Sequence, residues 1–245
     1  VEENHMYIRI ASNDFFAVSK DVVSKMIAGE LTAAQAYQAF NAKLLAEEEP
    51  ADNETVLTSG KAYSNVFHAN GGSAAFSVMA NTLRGVYGTD VLLATANSFT
   101  GSVLQADYNQ KMAASMIMPN GLMSRQRTMT GAELKETVRA FVEGCEGGFV
   151  PFNHGSLPVV SGIAVEVKEA NGSYTLTGIT RNGQPLGDGD TVTVTCLATE
   201  KQMEALLASD SGTSAGEDAW VKNTWRDYVS GGAALAEPEN YMTLR

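Results

Sequence analysis

SAAFSVMANTLRGVYGTDVLLAT, residues 73–95, predicts an amphipathic helix followed directly by a strand. Ser73 is a favourable N-cap residue, and the apolar residues after it recur at helical spacing up to Tyr87. Gly88 is the residue type that most often ends a helix, because glycine adopts the left-handed conformation without strain. The apolar run Val91–Thr95 then predicts a buried strand. A helix next to a sheet strand is therefore expected near the middle of the fold.

Further helices and hairpins follow this unit. Residues 123–129 alternate as in a strand, and Thr130 with Glu133 forms a capping box at the start of another helix. Asn171-Gly172 predicts a tight turn between two strands. Further strands are predicted at 159–167, 174–179 and 191–197, and late helices at 201–208 and 219–229. Helices mixed with hairpins favour an α+β fold, a mixed sheet with flanking helices, over a doubly wound parallel sheet.

Two consecutive helices are predicted near the amino terminus, within residues 21–45. A capping box that starts at Thr32 begins the second of them. The acidic stretch 46–55 contains a proline and no apolar periodicity, which is typical of a linker. We therefore expect residues 1–50 to be an N-terminal helical segment and linker, and residues 51–245 to be the main domain.

The composition limits the classes of partner. The formal net charge is −11, whereas surfaces that bind nucleic acid need clustered lysine and arginine, so no nucleic-acid partner is expected. No apolar run approaches the ~18 residues of a membrane-spanning helix, so no membrane insertion is expected within this chain. Cys145 and Cys196 are far apart and either pair or stay free. The start at Val1, without a methionine or signal peptide, is typical of a chain that has lost an export signal or a preceding domain.

The sequence contains no recognisable catalytic or metal-binding constellation. His5, His68 and His154 have no partner at metal-ligand spacing, and a two-metal phosphatase needs several histidine and aspartate ligands. The serines lack the GxSxG pattern of hydrolases, and the glycine pairs match neither a dinucleotide-binding nor a phosphate-binding loop. We therefore expect no metal, no cofactor and no complete catalytic site in this chain.

Several segments, taken in order, resemble the C-terminal substrate-binding domain of the secreted 5′-nucleotidase and UDP-sugar hydrolase family. Residues 129–135, MTGAELK, closely match the family's LTGAELK helix start. The other similar segments are GSAAFSVMANTLR (72–84), GTDVLL (88–93), VSGI (160–163), ITRNGQPL (179–186), DTVTV (190–194) and AEPENYMTL (236–244). The resemblance covers roughly residues 58–244, and it implies an exported bacterial protein with the fold of that C-terminal domain.

The departures from the family imply that nucleotide recognition is lost. The family's phosphate-binding arginine after the first strand has no counterpart in residues 96–101, and an earlier arginine is missing near Ala69. Asn120 stands where the family's PFGN loop has the phenylalanine that stacks on the nucleobase. Thr199–Met203 keeps neither the second stacking aromatic residue nor the family's GGDGY loop. Without these anchors, ordinary nucleotide binding is not expected.

Six residues lie in or beside loops that correspond to the family's substrate face. Arg125 and Arg127, two apart on a strand, point to the same side and either hold an anion or form a solvated polar face. The loop Phe149–His154 contains two aromatic residues, a proline and a histidine, and either contacts a ligand or packs onto the core. The predicted ligand-contacting residues are Asn97, Phe99, Asn120, Arg125, Phe152 and His154.

Three functions are compatible with these observations. The first is a non-catalytic domain of a secreted or cell-surface bacterial protein that binds a small nucleoside- or sugar-like ligand. The alternative is the substrate-binding part of a nucleotide or UDP-sugar hydrolase whose catalytic metallophosphatase domain is missing from this chain. The third is a structural module whose cleft is filled by side chains. Residues 21–45 also resemble the terminal helices of extracellular solute-binding proteins, so the expected partner is an upstream catalytic or solute-binding domain.

Overall fold

The computed structural model describes residues 5–9, 15–32, 35, 54–118, 121–143, 157–171, 173–200, 202–203, 212–216 and 218–245. The chain divides into two compact units, Val1–Glu54 and Thr55–Arg245. No helix in the described ranges is long and apolar enough to cross a membrane.

The described part of the first unit contains an antiparallel pair of strands and a helix. β1 (His5–Arg9) pairs antiparallel with β2 (Phe15–Ser19), and α1 (Lys20–Ile27) follows without a break. The sequence analysis places only helices in this segment, so it does not predict these two strands. The predicted capping box is confirmed: Gln35 Oε1 accepts from Thr32 N at 2.9 Å, and Thr32 Oγ1 accepts from Gln35 N at 3.2 Å. The helix predicted after it lies outside the described residues.

The second unit contains two larger sheets and a two-stranded one, together with α-helices, within its described residues. In chain order its elements are β3 (Thr55–Ser59), α2 (Ala74–Tyr87), β4 (Val91–Thr95), a 3-10 helix (Ala96–Ser98), β5 (Ala106–Asn109), α3 (Gln110–Ala114), β6 (Leu122–Thr130), α4 (Gly131–Glu143), β7 (Pro158–Ser161), β8 (Ala164–Ala170), β9 (Ser173–Arg181), β10 (Gln184–Pro185), β11 (Thr191–Thr199), β12 (Thr213–Ser214), β13 (Ala219–Trp220), α5 (Val221–Ser230) and β14 (Met242–Leu244). A short antiparallel pair, β3 with β5, accompanies the two sheets.

The larger sheet has the strand order β12-β6-β11-β4-β7, and β13 also pairs with β6. The central pair, β11 with β4, is parallel, and the other pairs are antiparallel. The predicted α+β fold with a mixed sheet is therefore confirmed. β4 lies between β11 and β7, and four of its five residues are buried, as its apolar sequence predicts.

The smaller sheet has the order β10-β9-β8-β14. β8, β9 and β10 are joined by tight turns, and β14 runs parallel to β8. Asn171, in the predicted Asn-Gly pair, has a φ angle of 55°, and Asn182, in a second Asn-Gly pair, has a φ angle of 51°. Asparagine and glycine tolerate this left-handed conformation, so the local sequence sets the hairpin register.

Helix α2 begins and ends where the sequence predicts. Ser73 Oγ accepts a hydrogen bond from Phe76 N, and Gly88, with a φ of 65°, donates its N–H to the carbonyls of Arg84 and Gly85. The apolar side chains from Ala75 to Leu83 are buried, whereas Val86 and Tyr87 near the end of the helix are half-buried. The two ends of the helix are thus satisfied by local residues.

The same helix carries polar side chains that are buried. Ser77 Oγ donates to Glu239 O at 2.9 Å and accepts from Glu239 N at 2.8 Å. Asn81 Nδ2 donates to Glu237 O at 2.9 Å. Thr82 Oγ1 accepts from Ala236 N at 2.9 Å. These bonds hold the carboxyl-terminal segment, residues 236–239, along α2 and satisfy polar groups that would otherwise be costly to bury.

The predicted capping box of α4 is also confirmed. Glu133 Oε2 accepts from Thr130 N at 2.7 Å, and Thr130 Oγ1 accepts from Glu133 N at 3.2 Å. The last helix, α5, begins two residues later than predicted, because Ala219 and Trp220 pair with β6 instead. Of the helix predicted at 201–208, only residues 202–203 belong to the described part of the chain, and both are helical.

Candidate functional site

Three of the six predicted ligand-contacting residues are in the described part of the chain. Asn97 is exposed on the 3-10 helix that follows β4. Phe99 is 5% exposed, and its ring packs on Phe76 with 6.1 Å between the ring centroids. The ring of Phe99 is therefore part of the core, and a nucleobase cannot stack on it without rearrangement. The other three, Asn120, Phe152 and His154, lie outside the described residues.

Arg125 forms an ion pair on β6. Its Nη2 is 2.6 Å from Asp218 Oδ2, and its Nε is 3.1 Å from both carboxylate oxygens. The hydrogen bonds from Arg125 hold the pKa of Asp218 below its ordinary value, with a further contribution from the charge of Arg127. Arg125 is thus neutralised by a fixed carboxylate, which favours the predicted polar face over an open anion site.

The sequence analysis did not predict a polar cleft that lies at the amino-terminal end of β4. The cleft has a volume of about 480 Å³ and lies where α2 ends, β4 begins and the smaller sheet approaches. We call it the Arg84 cleft. Its lining residues are Arg84, Gly88, Thr89, Asp90, Gly162, Ile163, Ala164, Thr180, Arg181, Asn182, Gly183, Glu239 and Asn240. Asp90 precedes β4 and Asn97 follows it, so the cleft and the predicted ligand face lie at opposite ends of this strand.

A relay of hydrogen bonds positions Arg84. Its Nε donates to Ser161 Oγ at 2.8 Å, and Ser161 Oγ donates in turn to Asn81 Oδ1. Ser161 and Asn81 are both buried. On the other side of the guanidinium, Nη2 is 4.0 Å from Glu239 Oε1. Arg84 is therefore anchored through one edge, and its terminal nitrogens lie at the cleft.

Asp90 joins the two sheets. Its Oδ2 accepts from Thr193 N at 2.8 Å and from Thr193 Oγ1 at 2.9 Å, and its Oδ1 accepts from Arg181 Nη2. The N–H of Thr193 is the main cause that holds the pKa of Asp90 below its ordinary value, and the charges of Arg181 and Arg84 act in the same direction. Asp90 is therefore the charged counter-ion of Arg181 at neutral pH.

At Gly162, the backbone between β7 and β8 approaches the backbone of Asp90, and both residues line the cleft. It lies between β7 and β8 with a φ of 81°, and a Cβ at this position would be 2.0 Å from Asp90 O. Only glycine fits this approach, because any side chain would collide with the backbone before β4. Four residues of the cleft belong to segments that carry the family resemblance: Arg84, Asp90, Ser161 and Gly162. The sequence analysis used these segments one by one and did not predict that these residues come together.

The described lining of the cleft is suited to hydrogen bonding. Its side chains offer guanidinium, carboxylate and amide groups. In the described part of the chain, no cluster of three or more His, Cys, Asp or Glu could hold a metal ion. Cys196 lies in the core, and burial raises the pKa of its thiol to about 12, so it is no nucleophile at neutral pH.

Neither a protein-family model nor a curated protein matches this chain in sequence. Solved structures do match its fold. A 5′-nucleotidase precursor from Thermus thermophilus has a TM-score of 0.59 and 14% identity, over 86% of this chain and 43% of that one. A sulfate thiohydrolase from Thermus thermophilus has a TM-score of 0.61 and 13% identity, over 94% and 41% of the two chains. The NAD nucleotidase of Haemophilus influenzae has a TM-score of 0.57 and 14% identity, over 98% and 48%.

At these identities the similarity shows the fold alone. The fold is that of the 5′-nucleotidase C-terminal domain, as the sequence resemblance implied. The chain spans less than half the length of each of these solved structures.

Proposed function

We propose that this chain is a non-catalytic domain that binds a small ligand, within an exported bacterial 5′-nucleotidase-like protein, and that it does not recognise nucleotides in the ordinary way. One observation carries the loss of nucleotide recognition. In the described part of the predicted ligand face, the Phe99 ring is packed in the core and Arg125 is paired with Asp218. Neither the Phe99 ring nor the Arg125 guanidinium is therefore open to a nucleotide without rearrangement.

The loss of these contacts lowers the expected affinity for nucleotides by a large factor. A stacked base contributes about 1–3 kcal/mol in single-strand complexes, and a hydrogen bond to a charged group about 1.5–3 kcal/mol. A tenfold change in Kd corresponds to about 1.4 kcal/mol, so losing both kinds of contact weakens nucleotide binding by several orders of magnitude. A ligand of this domain must therefore be held by other contacts.

The alternative function is the substrate-binding part of a nucleotide or UDP-sugar hydrolase. The fold match to structures named 5′-nucleotidase and NAD nucleotidase favours it, because those chains are more than twice as long as the part that this chain covers. In this alternative, a catalytic metallophosphatase domain and its metals belong to a different part of the protein or to a partner. Export is part of both proposals and rests on the resemblance to a secreted family.

A ligand screen by thermal denaturation and isothermal titration calorimetry separates the two functions. The probes are adenosine, AMP, UDP-glucose and free sugars, each with and without Mn²⁺. A ligand that binds only the folded state raises the Tm in a saturable manner. We expect no saturable effect of AMP or adenosine; a saturable effect of AMP that Arg125→Gln weakens would contradict the proposal and support the hydrolase alternative.

A further inference from the structure

We propose that the Arg84 cleft is the ligand site of this domain, and that it takes a neutral, polyhydroxylated molecule of the size of a mono- or disaccharide. This inference rests on the proposed function and assigns its ligand to a place and a chemical class. It differs from the site predicted at the far end of β4. The cleft's donors, acceptors, charge and surface each favour such a ligand.

The donors come from two anchored guanidinium groups. Each guanidinium has five N–H groups. Among the described residues, Arg84 uses its Nε–H in the hydrogen bond to Ser161, and Arg181 uses one N–H of Nη2 in the bond to Asp90. Both side chains are 30% exposed. Because the anchors already restrict these long side chains, little rotamer entropy remains to be lost when a ligand oxygen binds.

The acceptor opposite Arg84 is the carboxylate of Glu239. Its distance of 4.0 Å from Arg84 Nη2 is too long for a hydrogen bond, and its side chain is 56% exposed. Its backbone is nevertheless fixed, since Ser77 bonds both the N–H and the carbonyl of Glu239. Asp90, by contrast, already accepts three hydrogen bonds and serves as a structural counter-ion.

The charge of the cleft favours a neutral ligand. The two arginines are balanced by Asp90 and Glu239, so the charged lining residues sum to zero. The carboxyl end of α2 adds a partial negative charge near Gly88. An anion would be repelled by the carboxylates of Asp90 and Glu239, and a cation by the two guanidinium groups. A hydroxyl group both donates and accepts, so it can bond to Arg84 and to Glu239 at once.

The surface of the cleft favours a polar molecule over a nucleobase as the anchor. None of the described lining residues is aromatic, and the apolar side chains among them are Ile163 and Ala164. A stacking platform is therefore lacking. The volume of about 480 Å³ lies within the ~300–1,000 Å³ that small-molecule sites occupy. A polar molecule of one or two sugar rings fits these properties.

Glu239→Ala, with Glu237→Ala as its matched control, tests the proposal in the whole chain. Both carboxylates are exposed and lie on the same segment, but Glu237 pairs with Lys61 and is no lining residue of the cleft. The probes are glucose, galactose, ribose, sucrose and maltose, measured by isothermal titration calorimetry. We expect a saturable Kd for at least one sugar, weakened about tenfold or more in Glu239→Ala and unchanged in Glu237→Ala, because a charge-assisted hydrogen bond is lost. Arg84→Lys, which keeps the charge but loses the planar fork, should weaken the same sugar.

Every other outcome contradicts the site, the class of ligand or the proposed function. Sugar binding that survives Glu239→Ala and Arg84→Lys but fails in Arg125→Gln overturns the cleft and leaves the proposed function standing. Saturable binding of an anion, inorganic phosphate or glucuronate, without binding of any neutral sugar overturns the proposed class of ligand. No saturable binding of any probe overturns both the cleft and the proposed function. Stabilisation that only rises linearly with sugar concentration is the general osmolyte effect and counts as no binding.

Discussion

Ser161 and Gly162 both shape the Arg84 cleft, but in different ways. Ser161 Oγ accepts from Arg84 and thereby orients a cation at the cleft. Gly162 contributes by having no side chain, since its backbone lies against Asp90 O. The two positions therefore restrict substitution for different reasons: the first needs a hydroxyl, and the second needs space and a left-handed backbone.

Gly162→Ala should lower the free energy of unfolding by about 2–4 kcal/mol, from left-handed strain plus overpacking. Gly183→Ala is the matched control, because Gly183 has a similar φ of 74° but no atom within 4 Å of the point where a methyl group would stand. It should lose only about 1 kcal/mol, from strain alone. Urea denaturation of both variants measures the difference. Equal losses would mean that the close approach to Asp90 costs nothing.

Asp90 makes stability depend on pH in the acid range. Its pKa is lowered below 3.8 in the folded protein, so its stabilising effect is complete above that value and is lost as the pH falls through the folded pKa. Asp90→Asn should therefore be less stable at neutral pH and should lose less stability on acidification. Urea midpoints across this pH range test the prediction, with Asp107→Asn, an exposed carboxylate that accepts from Thr58 Oγ1, as the control. Parallel acid profiles of wild type and Asp90→Asn would contradict it.

Among the elements, those with strong local signals form as predicted. α2 has its N-cap and its C-terminal glycine, α4 has its capping box, and the hairpins of the smaller sheet have Asn-Gly turns. The short strands β12 and β13 have no such signal. They form because the edge of β6 supplies hydrogen-bond partners, and β13 takes two residues that the sequence pattern assigns to α5.

Thr130→Ala should destabilise the protein by about 1 kcal/mol, because the first turn of α4 loses its cap. Thr130→Ser keeps the hydroxyl and should stay within about 0.5 kcal/mol of the wild type. Chemical denaturation monitored by circular dichroism compares the two. A loss of equal size in both variants would show that the methyl group, not the cap, matters at this position.

For the whole molecule, the carboxyl-terminal residues connect parts that are far apart in sequence. Residues 236–239 run along α2, and β14 adds to the smaller sheet beside β8. Between them, Tyr241 is 1% exposed, and its hydroxyl accepts from Ser73 N at the start of α2. Burial raises the pKa of Tyr241 to about 12, so the hydroxyl is neutral under ordinary conditions. Tyr241 and Met242 are thus part of the core of the second unit.

Tyr241→Ala should cost about 3–5 kcal/mol, since it removes a large buried ring. Tyr241→Phe keeps the ring but leaves the Ser73 N–H without its acceptor, which should cost about 1–3 kcal/mol. Urea denaturation followed by tryptophan fluorescence measures both losses. A Tyr241→Ala variant with wild-type stability would show that the carboxyl-terminal segment is not needed for the fold.

Much of the fold was predictable from the sequence, and little of the cleft was. Caps, turns and apolar spacing depend on residues within a few positions of each other, so α2, β4, α4 and the Asn-Gly hairpins could be placed from local physics. The cleft depends on pairs such as Arg84 with Ser161 and Asp90 with Arg181, which are 77 and 91 positions apart. Whether Phe99 faces a ligand or the core likewise depends on Phe76, which belongs to a different element. Such contacts arise only when the sheets pack, because burial and pairing are set by neighbours in space and not along the chain.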